Sequence, residues 1–399
     1  MTMIAGDRLA ILERTRTLKM AGSTHAYVRG NTIKFYEWLA ASPRADRVPM
    51  GPPVWICGDC HLGNLGPLAD ADGGVAIQIR DLDQTVIGNP AHDLIRLGLS
   101  LATAARGSDL PGVTTARMIE EMVDGYERAL ADPDSDDVAA EPEAVRAVRR
   151  QAMGRRWRHL AEERLADIQP TIPLGKKFWA LAETERSALA ELFEGDAVKA
   201  MILALSGRDN DHDVRLIDAA YWMKGCSSLG KLRFAALVAI GGTKKRSSHL
   251  ALIDLKEAVP AAAPAAQGAA MPTDHAERVV AGARALSPNL GDRMLATRLL
   301  DKPVVLRELM PQDLKLEVDQ FTRSEAIKSA RYLAYVVGKA HARQMDAETR
   351  RDWRRALLDH RGTGIEAPPW LWHGVVDLIA SHEAGYLEHC RRYALSEAA

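Results

Sequence analysis

The sequence predicts an α+β protein in two lobes, a mostly helical large lobe and a small β-rich one. Three observations carry this. At 399 residues the chain is too long for one simple core, and long enough for two bodies that each bury an apolar set. Apolar residues recur at helical spacing over most of its length. Between about 215 and 320 that spacing gives way to apolar runs of strand length joined by a Gly-Gly turn. Residues 1–214 are therefore expected to form the helical lobe, 215–320 the β-rich lobe, and 321–399 helices that return to the large lobe.

Element by element, residues 7–44 carry helical periodicity, as in Ile33, Tyr36, Trp38 and Leu39, with a polar connection at Gly22-Ser23-Thr24. The first strand signals are Val54-Trp55-Ile56-Cys57 and the alternation of Val75, Ile77 and Ile79 after the turn Asp72-Gly73-Gly74. Between them lies a loop dense in polar groups. From about 90 to 205 the pattern is helical, interrupted by an exposed acidic connection at Asp132–Asp137. The basic run Arg149–Arg158 reads as a solvated helix face with Glu162 and Glu163 in ion-pairing reach. Leu232–Ile240, Gly241-Gly242 and His249–Lys256 predict a hairpin. The Ala/Pro-rich stretch 258–272 reads as a loose linker, being poor in large apolar groups. A helix over 274–286, a strand at Val304–Leu309 and helices over 324–345 and 368–394 complete the chain. The cluster Trp370-Leu371-Trp372 is expected in the core or at an interface.

Composition excludes several function classes. The formal net charge of -1 offers no long-range field to nucleic acid or an anionic membrane. No stretch approaches the roughly 18 apolar residues of a membrane span, and charges interrupt the apolar positions of the first twenty residues, unlike a signal peptide. Four cysteines, Cys57, Cys60, Cys226 and Cys390, are too few and too unevenly spaced for a disulfide scaffold. The expectation is a cytoplasmic protein without a nucleic-acid or membrane partner.

Chemistry concentrates in Cys57-Gly58-Asp59-Cys60-His61-Leu62-Gly63-Asn64 and Ile79-Arg80-Asp81-Leu82-Asp83. Phosphoryl transfer uses a carboxylate beside the attacking hydroxyl and oxygen ligands that hold magnesium against the phosphates. A loop Asp, an Asn five residues on and a carboxylate at a strand end supply that set. Taken alone, Asp59 and Asn64 also suit a turn that bonds its own backbone. The CxxC spacing beside His61 also admits a thiol-active or zinc site, although no second cysteine pair completes one.

These residues carry a resemblance. The two segments resemble the HGDxxxxN and IDFD motifs of aminoglycoside and choline kinase-like enzymes, and Asn89-Pro90-Ala91-His92-Asp93-Leu94 resembles the GxPxxDL that follows them. The run WICGDCHLGNLGPLADADGG to DLIRLGLSLA resembles the bacterial domain-of-unknown-function family 2252. Further weaker similarities to that family lie at His25–Gly30, Lys224–Gly230, Leu252–Ala258 and Val337–Arg343.

The resemblance implies a protein kinase-like two-lobe fold, circularly permuted, since Gly225 and Lys256 follow Asp59 in the chain instead of preceding it. It implies Asp59 as catalytic base, Asn64 and Asp81 as magnesium ligands, and Lys256 on the α and β phosphates of ATP. Gly225, Ser227, Ser228 and Gly230 form the phosphate-cradling turn, with Ser227 in place of its middle glycine. Glu277 is the implied carboxylate partner of Lys256, with Asp274 equally available. His61, Asp83 and Asp93 are implied structural supports. Cys57 stands where the kinase motif has His, and Asp254 where many kinases place a small residue against adenine. Arg29 and Arg307 are each able to meet phosphate or to pair with acids, while His341 is expected as a satisfied core histidine. The expected function is an ATP- and magnesium-dependent phosphotransferase acting on a hydroxyl of a small molecule or protein. Nucleotidyl transfer on the same fold and a non-catalytic nucleotide-binding pseudokinase are the alternatives.

Overall fold

A computed structural model of the chain describes residues 5–43, 45–135, 141–164, 171–205, 208–209, 212–225, 229–241, 249–316, 322–358 and 367–394. The protein is α+β. Helices Ala5–Ala21, Thr24–Gly30 and Thr32–Ala41 open the chain, and the polar residues between them start the next helix each time. Ser23 accepts a hydrogen bond from the Ala26 backbone N–H, and Asn31 one from that of Lys34.

Two small antiparallel pairs follow. Strands β1 (Val54–Ile56), β2 (Leu65–Ala69), β3 (Val75–Ile79) and β4 (Val86–Gly88) pair as β1 with β4 and β2 with β3. The partner of the expected strand β3 is hidden in the sequence, because Gly66 and Pro67 dilute the strand signal of β2. Gly66 has a packing reason: a Cβ there would lie 2.6 Å from the Leu314 carbonyl oxygen.

A six-stranded antiparallel sheet is made by β5 (Phe178–Trp179), β6 (Val214–Trp222), β7 (Arg233–Ile240), β8 (His249–Glu257), β9 (Met294–Leu299) and β10 (Lys302–Glu308), in the order β5-β6-β7-β8-β10-β9. Both faces are covered. Along β7, Phe234, Ala236, Val238 and Ile240 point to one core with Leu189, Phe193 and Ile202 of helices Glu183–Glu194 and Asp196–Leu203. Ala235 and Leu237 point to the other, with Leu160, Phe178 and Trp222. That two-sided burial explains why β7 reads as a continuous apolar run.

The largest core joins β1–β4 to helices Ala91–Gly107, Gly112–Ala131, His275–Leu286, Arg323–Ala342, Ala347–Leu358 and Pro369–His389. Trp370 and Leu371 are buried in it. Among the described residues no helix is long and apolar enough to cross a membrane.

Two expectations are corrected. The stretch 258–272 is irregular but packed: Ala258 and Ala263 are buried, and the Ala262 N–H donates to Gln84 Oε1 at 2.6 Å. Small side chains here permit close approach to the loop after β1. The run 149–158 is not one solvated face either, because its helix ends at Gly154. Arg149 turns inward to the buried Glu141 at 2.9 Å, and Arg155 donates to the Pro311 carbonyl at 2.6 Å. The connection at Asp132–Asp137 and the Gly241-Gly242 turn fall partly outside the described residues.

Candidate active site

The loop between β1 and β2 is held from below by helix Ala91–Gly107. Its buried polar residues Asp93, Arg96 and Ser100 recur at one face, three and four positions apart. Asp93 accepts the N–H groups of Cys57 at 2.7 Å and Gly58 at 3.0 Å, and the Ser100 hydroxyl accepts that of Leu62 at 3.1 Å. Arg96 donates from Nε to Asp59 Oδ1 at 2.9 Å and from Nη2 to the Val28 carbonyl at 2.6 Å. Gly58 has φ +73°, and a Cβ there would lie 2.1 Å from the Gln84 carbonyl oxygen, so the turn accepts only glycine.

A second tier fixes Asp93. His341 Nε2 lies 3.2 Å from its Oδ2, while Nδ1 lies 2.9 Å from the Tyr126 hydroxyl, to which Trp353 Nε1 donates at 3.2 Å. His341 is thus a satisfied core histidine supporting the loop from a distance.

Above the loop opens a cleft of about 440 Å³ lined by Asp59, His61, Asn64, Asp81 and Gly225, with the cations Lys19, Arg29, Arg80, Lys224, Arg233, Arg307 and Lys315. A smaller recess of about 40 Å³ next to it contains Asp81, Asp83, Asp254 and Lys256. Residues from opposite ends of the sequence meet here. Lys256 Nζ pairs with Asp83 Oδ2 and lies 3.4 Å from Asp81 Oδ1. Arg307 donates to the Arg80 carbonyl at 3.1 Å and lies 3.6 Å from Asp254 Oδ2, and Arg233 grips Asp254 through two nitrogens at 3.0 and 2.6 Å.

Electrostatics differ from one carboxylate to the next. Burial raises the pKa of Asp59, with Arg96 opposing the rise. Burial also works against the charge of Asp81, yet Lys256, Arg307 and Arg233 outweigh it and hold the carboxyl well below the usual range. Asp83 is raised by burial and by Asp81 beside it. Asp254 is held low because Arg233, Lys224 and Arg307 overcome its burial. Burial, then Arg96 and Arg29, push His61 well below the usual imidazole value.

Most of the expected site residues converge. Asp59, Asn64, Asp81 and Gly225 line one cleft, Lys256 and Asp83 adjoin it, and His61 is buried on its wall. The Asn64 side-chain amide donates to the Asp59 backbone carbonyl at 3.0 Å, and the Asn64 backbone carbonyl accepts the Arg80 N–H at 2.7 Å. Gly225 (φ +86°) and Gly230 (φ +92°) both have backbone that suits glycine, and Gly230 stands off the cleft wall. Ser227 and Ser228 lie outside the described residues. Glu277 is exposed on helix His275–Leu286, where its N–H bonds to the capping Asp274. The carboxylates at Lys256 are instead Asp81 and Asp83. Arg307 pairs with an acid, and Asp254 serves as the anchor of two arginines. Cys57 and Cys60 are buried free thiols. Their mutual hydrogen bond and burial raise the pKa of Cys57, and burial with Asp93 raises that of Cys60 against that same bond, away from the thiolate a redox or zinc cysteine presents.

Arg96, Ser100 and Arg233 are site residues that sequence reasoning does not single out. A signal for the first two exists: charged or polar residues every three to four positions on an otherwise apolar helix. Arg233 sits directly opposite Lys256 in the β7–β8 register, which only the fold reveals.

No curated protein and no solved structure matches the chain. The family model described as an uncharacterised protein conserved in bacteria, domain-of-unknown-function family 2252, matches residues 8–392, and the chain belongs to that family.

Proposed function

We propose that this protein transfers the γ-phosphoryl group of ATP, held with magnesium, to a hydroxyl of an acceptor. One observation carries the reading: Lys256 and Asp81, 175 positions apart in the chain, lie 3.4 Å from each other beside the cleft that exposes Asp59 and Asn64. A lysine, two oxygen ligands and a base around one cleft are the parts such a transfer uses.

The residues fit magnesium and a nucleotide. Asp81 leaves 43% of its side chain open, and with the Asn64 side-chain carbonyl it offers the few protein oxygens magnesium takes when phosphates complete its shell. Magnesium there would neutralise charge on the phosphates. Lys256, Arg233 and Arg307 are placed to hold those phosphates, with Asp254 and Asp83 orienting them. Asp59, fixed by Arg96, accepts the proton of the attacking hydroxyl. We read the six-stranded sheet with helix His275–Leu286 as the nucleotide side of a permuted kinase-like fold, supported by Gly225 and Lys256 facing a loop that precedes them in sequence.

The test incubates the protein and magnesium with ATP radiolabelled at the γ-phosphate or, in parallel, at the α-phosphate, against metabolite and protein pools. Transfer of the γ label alone is expected. Transfer of the α label would make the protein a nucleotidyltransferase, and nucleotide binding with neither label transferred would make it a non-catalytic binder.

A further inference from the structure

The cleft wall that carries Asp59 also carries Arg29, a cation that the nucleotide does not account for, and among the described residues Asp59 and Asp81 are the only carboxylates on the wall. Each is already matched: Asp59 by Arg96, which lies 2.8 Å behind it, and Asp81 by Lys256. Arg29 stands apart. A Cβ on Gly63 would lie 3.0 Å from its Cζ and Nη2, so the glycine lets the guanidinium rest on the loop between Asp59 and Asn64. Among the described residues no carboxylate pairs with it, and His25 and His61, which feel its charge, are both pushed toward their neutral forms by burial and by positive charge. On the same wall the His61 imidazole is 3% exposed, with Nδ1 buried and without a hydrogen-bond partner among the described residues and Nε2 4.0 Å from Asp59 Oδ2. A guanidinium without an acid among the described residues, on the wall that carries Asp59 and His61, describes a place for an oxyanion next to a hydroxyl.

We propose that the acceptor is a small hydroxyl compound bearing a phosphate or carboxylate group, its anion held by Arg29 and its hydroxyl placed between Asp59 and His61. This rests on the phosphotransferase reading. The acceptor oxygen bonds to the γ-phosphorus of ATP while the bond from that phosphorus to the β–γ bridging oxygen breaks. ADP leaves with that electron pair, and Asp59 takes the hydroxyl proton.

The experiment measures binding of glycerophosphate, glycerate and glycerol to the protein saturated with magnesium and ADP. The anionic probes should bind more tightly than glycerol by about tenfold or more, the ratio set by one charge-assisted hydrogen bond. That preference should fall as salt rises. Arg29→Gln should abolish it with MgADP affinity unchanged, and Arg29→Lys should restore part of it. Tighter binding of glycerophosphate or of glycerate identifies phosphate or carboxylate as the natural anion. Glycerol binding as well as its anionic analogues, no binding of either anion, or an Arg29→Gln protein that keeps the preference would each overturn the inference and leave the phosphotransferase reading standing. Failure of MgADP itself to bind removes that reading, and the inference with it.

Discussion

Asp59 is a carboxylate whose charge is costly and whose direction is set. It is 8% exposed on the cleft wall, and the Arg96 bond both compensates the burial and fixes one of its oxygens. Asp59→Asn should therefore lower kcat by about a hundredfold or more, the range of a lost general base, while nucleotide Kd stays within a few-fold. A variant with normal kcat would remove Asp59 from this role. Asp254 plays the opposite part. Its folded pKa is depressed below the ordinary 3.8, so its ion pairs add stability that is fully present above that value and is lost as pH falls below it. Asp254→Asn leaves Arg233 buried without its anion and should cost about 3 kcal/mol at neutral pH. Urea melts should show that gap narrowing below pH 3.8, where the wild-type unfolded chain takes up the proton first. Residues of this kind divide sharply in legibility. Asp59, Asn64 and Asp81 lie in two short segments of polar residues set between strand signals, so their meeting at one cleft was legible in the sequence. The partner of Lys256 was not: Asp83 reaches it across the fold, whereas Glu277 follows from chain order alone.

Helices Gly112–Ala131 and Arg323–Ala342 approach so closely that glycine is required at their crossing. A Cβ on Gly125 would lie 2.0 Å from the Arg331 carbonyl oxygen, and one on Gly338 would lie 2.7 Å from the Ala129 Cβ. Two effects compete in Gly125→Ala. Helix propensity favours alanine by about 1 kcal/mol, while overpacking against backbone costs about 1–3 kcal/mol and here exceeds it, since the carbonyl cannot rotate away. The expected result is a lower urea midpoint for Gly125→Ala and an unchanged or higher one for Gly107→Ala, where no atom lies within 4 Å of the added carbon. Equal midpoints would mean that the helices separate freely. The same pair delivers Tyr126 and His341 to Asp93, so loosening it should also lower activity. Long periodic helices and the β7–β8 hairpin were legible because each element carries its own pattern. β2 and β9 were not, because Gly and Pro or mixed polar residues leave them without one, and β5 was not, because two residues are too few to carry a period. The packed stretch 258–272 was misread for a related reason: alanine against a loop buries little area per residue, and composition registers only the large apolar groups.

Across the whole molecule, the sheet and the helical part meet at one cleft, where the chain brings Lys256 back to Asp81 and Arg307 back to Arg80. That meeting makes a joint prediction about ligand binding. Ligand that binds only the folded protein stabilises it by RT ln(1 + [L]/Kd), about 2.7 kcal/mol at a hundredfold excess over Kd. ATP with magnesium should therefore raise Tm clearly, and ATP with EDTA much less. Lys256→Ala should shrink the shift by removing a phosphate contact, and Asp81→Ala by removing a metal ligand. Both changes also disturb the unliganded protein, since the two side chains are paired with each other and with Asp83. The ligand-induced shift is thus measured against each variant's own unliganded Tm. If both residues act on one bound nucleotide, the double variant loses less than the sum of the single losses, because the second removal acts on a complex already weakened. Additive losses would place the two residues at independent sites, and no wild-type shift with any nucleotide would remove the nucleotide from this cleft. The coupled outcome is expected because the 3.4 Å contact leaves no room for two separate ligands between Lys256 and Asp81.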